Sequence, residues 1–193
     1  MKNIITTILL LLTINLFSQT RKDVFDINKP NLKLLDSLLF EEAMKQRKLN
    51  NRKVIERDYI CGLSAKYQSE YMSHYNVFEH ENDKEFKGVL LKEHQDRFNY
   101  FLKKNKSKLK YRTFHEILVM LESVDVYNYE GIVSKTYENY AECLIHYYMT
   151  SPGHKATLLY DVDSGVMVCD FKSEYNQKTK SLYVTGFYSF AKE

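Results

Sequence analysis

The residues of this chain whose chemistry could reach beyond packing are six histidines, three cysteines and a serine near one of the histidines. Ser151 precedes His154 by three positions, so a hydroxyl and an imidazole lie close in sequence. A nucleophilic serine needs a base within hydrogen-bond reach, a third group orienting that base, and an oxyanion hole. Ser151 has a plainer reading, because Ser followed by Pro152 is an ordinary helix start with Ser as N-cap and Pro at the first helical position. Cys61, Cys143 and Cys169 are an odd set, so one intrachain bridge at most can form. The alternative, favoured because a core of this size needs no staples, makes all three small buried apolar residues. His146 falls off the apolar face of its helix, four residues after Glu142, as a solvated pair. His74 and His94 are expected on helix surfaces. His115 adjoins Glu116 and by strand alternation points to the opposite face. No Gly-rich phosphate loop, G-x-S-x-G elbow or paired C-x-x-C is present.

The elements that must position these residues follow from apolar spacing. Asn28 and Pro30 read as a helix start, and Leu32, Leu35, Leu38, Leu39 and Ala43 continue it at helical steps until the polar stretch 46–57. Ile60, Leu63, Tyr67, Tyr71 and Tyr75 mark one face of a second helix over 58–75, with Met72 beside it. Residues 79–87 are highly charged and read as loop, and 90–102 as a short helix. Phe114 to Val124 is apolar with few charges, a buried strand. Tyr137, Tyr140, Ala141, Leu144, Ile145 and Tyr148 repeat at three- and four-residue steps, one apolar helix face. Two strands, 165–171 and 182–190, close the chain as a hairpin with a long polar loop over 172–181. This order predicts an α+β fold, a small antiparallel sheet packed against helices. The regular alternation of a parallel doubly wound fold is missing.

The N-terminus carries a different message. A short basic start, Met1-Lys2-Asn3, is followed by an apolar run from Ile4 to Phe17 and a small residue, Ser18, the pattern of a secretory signal over residues 1–19. A spanning helix needs about 20 apolar residues, and Thr6, Thr7, Thr13 and Asn15 interrupt this one, so address is favoured over anchor and the rest of the chain is not expected to be integral to a membrane. Residues 20–31 then read as a linker and 32–193 as one domain with its own core. The chain has 193 residues and a net charge of +3, of which Lys2 is the only charge in 1–19, so nothing demands a nucleic-acid partner. With 16 Tyr and no Trp, the core is expected to be aromatic with hydroxyls that need partners. The run 103–112 is basic. It reads as a solvated loop, or as a patch drawn to an acidic polymer or an anionic envelope surface.

Several segments together resemble one family. Tyr71-Met72-Ser73-His74-Tyr75-Asn76-Val77-Phe78-Glu79-His80 resembles a helix with a Met followed, eight residues later, by the His of an "FSH" motif. Arg97 resembles an Arg that often follows. Phe114-His115-Glu116-Ile117 sits where the family has its "GENI" strand. Tyr148-Met149-Thr150-Ser151-Pro152-Gly153-His154-Lys155-Ala156-Thr157-Leu158-Leu159 resembles the bacterial "WMNSPGHRANIL" motif, and Gly165-Val166-Met167-Val168 the "GVGV" strand. The family is the cysteine-rich secretory protein, antigen 5 and pathogenesis-related (CAP, or SCP) superfamily in its bacterial form, and the match runs from Leu32 to Phe190. Departures are Tyr148 for the family's Trp, His115 for a Gly, Ile117 for an Asn, and Ser151 where eukaryotic members carry a second Glu.

The resemblance implies an α-β-α sandwich and a secreted or periplasmic protein. It carries His80, Glu116 and His154 into one cleft, with His115 outside it. Two imidazoles with a carboxylate suit a divalent cation such as Zn²⁺, the carboxylate ligating or orienting a ring. The alternative is a hydrogen-bonded polar pocket that only stabilises the fold. The function expected is binding, with a divalent cation, a lipid or sterol, or another extracellular protein as ligand. The runner-up is a metal-assisted peptide or ester hydrolase using His80, Glu116 and His154.

Overall fold

The computed structural model describes residues 19–106, 111–122, 127–129, 132–134, 136–160 and 166–191. The signal segment up to Ser18, residues 107–110 of the basic run, and Gly165 lie outside them. Along the described chain the elements are α1 (Leu32–Leu49), β1 (Glu56–Arg57), α2 (Tyr59–Tyr75), α3 (His94–Lys104), β2 (Tyr111–Leu121), β3 (Tyr127–Tyr129), β4 (Ile132–Ser134), α4 (Tyr137–Thr150), α5 (Pro152–Leu158), β5 (Val166–Asn176) and β6 (Ser181–Ala191). None of the described helices is long and apolar enough to cross a membrane.

The sheet has the order β1-β5-β6-β2. β5, β6 and β2 are antiparallel neighbours, and the two-residue β1 joins β5 in parallel. Alternation along β2 divides the core. Ile117, Val119 and Leu121 join α1 and α4 in one apolar cluster, whereas Leu118 joins Tyr67, Tyr71 and Met72 of α2 in another. Ile60, Cys61, Phe98 and Phe187 extend the second layer. The result is an α-β-α sandwich. Gly186, the register partner of Ile117, is required at its place. A Cβ there would lie 2.6 Å from the Phe171 ring and 2.8 Å from Ile117, closer than packed atoms tolerate.

Helix starts are set by side chains that accept from orphan N–H groups. Asp58 takes Cys61 N at 2.8 Å, Thr136 takes Asn139 N at 3.2 Å, and Glu93 with Asp96 forms a capping box on α3. The first helix begins later than Asn28 and Pro30 imply: Asn31 is its cap, accepting from Leu34 N at 3.1 Å. Its far end runs through Arg47 to Leu49, because Arg47 is fully buried and bonded rather than solvated. The stretch expected as a linker lies on the domain. Phe25 is buried between Tyr137 and Tyr140, and Arg21 bridges Glu41 and Glu138.

Two expectations need correction. β5 does not stop at Phe171, and the hairpin loop is not long. Polar residues continue the strand to Asn176, with Phe171, Ser173 and Tyr175 buried and Lys172, Glu174 and Asn176 on the other face. The alternation was there, hidden by a serine at an inward position. The basic run is also not one loop: Lys103 and Lys104 end α3, where they complement the negative end of the helix dipole, and Tyr111 and Arg112 begin β2. All three cysteines are buried thiols, in line with their reading as small core residues.

Candidate functional site

His80 lies in the segment between α2 and α3, a charged stretch that is nevertheless held by buried polar side chains. Gln68 of α2 donates to Glu79 O at 2.6 Å, and Tyr67 OH to Phe86 O and Val89 O at 3.1 Å each. Asn82, fully buried, donates to Leu91 O at 3.1 Å, and its own N–H to Lys92 O at 2.8 Å. Arg97, one turn into α3, completes the anchoring by donating to Lys92 O at 3.3 Å and to His80 O at 3.1 Å.

The same guanidinium holds the carboxylate. Arg97 Nη2 donates to Glu116 Oε1 at 2.8 Å and Oε2 at 2.7 Å, with the side chains 0% and 1% exposed. His80 Nδ1 lies 3.0 Å from Glu116 Oε1 while its ring is 52% exposed. A buried guanidinium, a buried carboxylate and an accessible imidazole therefore form a chain. The tautomer that donates Nδ1–H to Glu116 leaves the Nε2 lone pair for a ligand.

His154 approaches from α5. Its ring stands edge-on to the fully buried Tyr148, centroids 5.2 Å apart at 87°. The Tyr148 hydroxyl donates to Val184 O at 3.2 Å, fixing that ring against the sheet. Arg47 of α1 donates to Leu158 O at 2.7 Å and Tyr160 O at 2.8 Å, tying down the end of α5. Burial, then the nearby charge of His80, lowers the His154 pKa below the ordinary imidazole value, which favours the neutral form. Its Nδ1 is buried and has no hydrogen-bond partner among the described residues. Of the three expected residues, the fold thus joins His80 and Glu116 directly, and no hydrogen bond links His154 to either.

A cavity of about 450 Å³ opens beside Glu116, lined by His80, Glu81, Glu93, His94, Phe114, His115 and Glu116. His115, expected outside the cleft, lines this cavity, as does His94 from the start of α3, whereas His154 does not. Alternation does send His115 and Glu116 to opposite faces, and among the described residues β2 is the last strand of the sheet. Burial, then the charge of His94, lowers the His115 pKa. The sequence alone shows no partner for Arg97. The available signal was position: Arg97 shares the inward face of α3 with Phe98 and Phe101, and a cation at such a place needs a buried counter-charge.

The fold is that of the CAP, or SCP, domain. It is similar to an extracellular protein containing an SCP domain from Bacillus anthracis, with a TM-score of 0.52 at 15% identity over 84% of this chain and 43% of that one. It is also similar to an outer surface protein of Borrelia burgdorferi, with a TM-score of 0.55 at 16% identity over 89% of this chain and 98% of that one. This chain spans less than half the length of the Bacillus protein. No family model and no curated protein matches the sequence.

His80 and His154 both carry imidazole nitrogens, and the charge of His80 is felt at His154, but His154 is not among the residues that line the cavity. Among the described residues no three of His, Cys, Asp and Glu are gathered tightly enough to cage a metal ion. Both Glu116 oxygens are taken by Arg97, so the carboxylate serves better to orient His80 than to ligate. His80 Nε2 and a neutral His154 are the ligands available. Ser151 occupies the N-cap position of α5, as expected, but its side chain makes no capping bond.

Proposed function

We propose that the protein is an extracytoplasmic CAP-fold binding protein whose cleft holds a divalent cation, zinc by donor preference, through His80 and His154, with Glu116 orienting His80. The observation that carries this reading is the Arg97–Glu116–His80 chain. A carboxylate behind an imidazole, itself fixed by a buried cation, is the arrangement that sets tautomer and ring direction in metal-binding histidines. The bound cation would offer water-filled positions and Lewis acidity to a ligand. Location outside the cytoplasm is supported by the N-terminal pattern over residues 1–19 and by neighbours described as extracellular or outer surface proteins.

Binding is favoured over hydrolysis for a chemical reason. A general base must be free to accept a proton from water, and Glu116 already gives both oxygens to a guanidinium. Isothermal titration of the purified protein with Zn²⁺ tests the reading. One equivalent of heat is expected, weakened at least tenfold in His80→Ala and in His154→Ala. Absent heat, or the same affinity in the double variant, would discard it.

A further inference from the structure

Three consecutive residues of β2 line the cavity. The Phe114 ring packs on Phe98 at 4.7 Å and Glu116 takes Arg97, both on the α2–α3 side of the sheet. His115 turns the other way, its ring 5.9 Å from that of Tyr160 just beyond α5. A cavity over one face of a sheet meets every second residue of a strand. One that meets three in a row lies along the strand's edge. β2 pairs with β6 on one side, and among the described residues its other side pairs with no strand. Such an edge presents backbone N–H and C=O groups ready to bond another extended chain.

We propose that the cleft binds an extended peptide segment, which adds to the sheet as a strand along residues 114–116. The inference deepens the binding-cleft reading above; it rests on the cavity and not on the cation. Three strand residues span about 10 Å, enough to register three or four ligand residues. The volume of about 450 Å³ lies in the ordinary range for ligand sites, about 300–1,000 Å³. Main-chain bonds along an edge supply affinity, and pockets for alternate side chains supply specificity. Here one set of ligand side chains would meet His80, Glu81, Glu93 and His94, and the other His115. The charges of the cavity also fit a neutral backbone. Glu116 is matched by Arg97, Glu81 by Lys92 at 3.5 Å, and Glu93 is engaged in capping α3.

The test uses the purified protein and a degenerate library of acetylated, amidated hexapeptides. Captured peptides are resynthesised, and amide hydrogen exchange is followed with and without them. The expected result is slowed exchange within 114–117, together with at least a tenfold loss of affinity when alternate peptide nitrogens are N-methylated in one register but not in the other. No capture at millimolar peptide, capture with exchange at 114–117 unchanged, or indifference to N-methylation in both registers would overturn the proposal. Zinc titration of the same preparation separates the two readings. Zinc heat without peptide capture sinks this inference alone, and peptide capture without zinc heat supports it while sinking the metal site.

Discussion

Among the buried carboxylates of the described residues, Glu116 and Asp36 are treated by the fold in opposite ways. Glu116, at the edge of β2, meets a fully buried guanidinium and an imidazole. Asp36, where α1 crosses β5, meets neutral donors: Ser173 N at 2.8 Å and Ser173 Oγ at 2.6 Å, with Lys172 Nζ farther off at 3.7 Å and nearer to Asp170, at 2.9 Å. Burial therefore dominates at Asp36 and raises its pKa to about 6. A full opposite charge in contact compensates desolvation; hydrogen bonds from a serine do so only in part. The cleft thus holds the carboxylate whose charge the fold has matched. The seam between α1 and β5 holds one that gives up its charge in mild acid.

The largest break in this contrast is Glu116→Gln. It leaves Arg97 buried without its counter-charge, and the expected loss is about 3–5 kcal/mol of stability, read from the denaturant midpoint. The paired change Arg97→Met with Glu116→Leu removes both charges and should be markedly less destabilised than the sum of its parts. Full recovery is not expected, because Arg97 also holds Lys92 O and His80 O. Additive losses would mean that the two charges do not depend on each other and would collapse the contrast with Asp36.

Asp36→Asn probes the other carboxylate. In the folded protein Asp36 keeps its proton to higher pH than in the unfolded chain. Its stabilising contribution is present below the ordinary carboxylate range and is lost as pH rises through about 6. The rise from 3.8 to about 6 corresponds to at most about 3 kcal/mol lost between pH 4 and pH 7. The Asn variant should lack that component, so its stability relative to the parent should improve by about that amount across the window. Parallel stability curves for the two proteins would show that Asp36 is solvated after all.

The sequence made the two layers of the sandwich readable and left its polar interior obscure. Repeating apolar positions in 137–148 and 60–75 placed two helices nearly to the residue, because burial of one face dictates that spacing. Phe114 to Val124 was recognisable as a strand from its run of apolar residues, and β2 covers Tyr111–Leu121. Ser173 and Lys172 concealed the second half of β5, since an inward serine bonded to Asp36 does not look like core. Arg97 and Arg47 were hidden likewise: a cation is expected outside unless its partner is known, and the partners are distant in sequence. His80, Glu116 and His154 came together only through the resemblance, as no local spacing relates residues so far apart. His115 was misplaced because alternation says which face a side chain takes but not that its strand is the last of the sheet.

His80 and His154 extend the contrast to its smallest expected effect. His80 bonds a carboxylate and is half exposed, whereas His154 is sunk against Tyr148 with Nδ1 unpartnered among the described residues. A buried polar atom without a partner costs about 1–3 kcal/mol, and replacing it by an apolar group of similar size relieves that cost. His154→Leu should therefore leave stability unchanged or raise it by about 1 kcal/mol, while removing the zinc heat. His80→Leu should lower stability by about 1 kcal/mol, since it deletes a charge-assisted bond that water can partly replace. The same two denaturation curves thus separate a residue kept for the fold from one kept at the expense of it. If His154→Leu instead loses about 2 kcal/mol or more, by the same scale, His154 has a structural partner, and a site at which stability is given up for ligand binding is no longer the explanation of its place beside Tyr148.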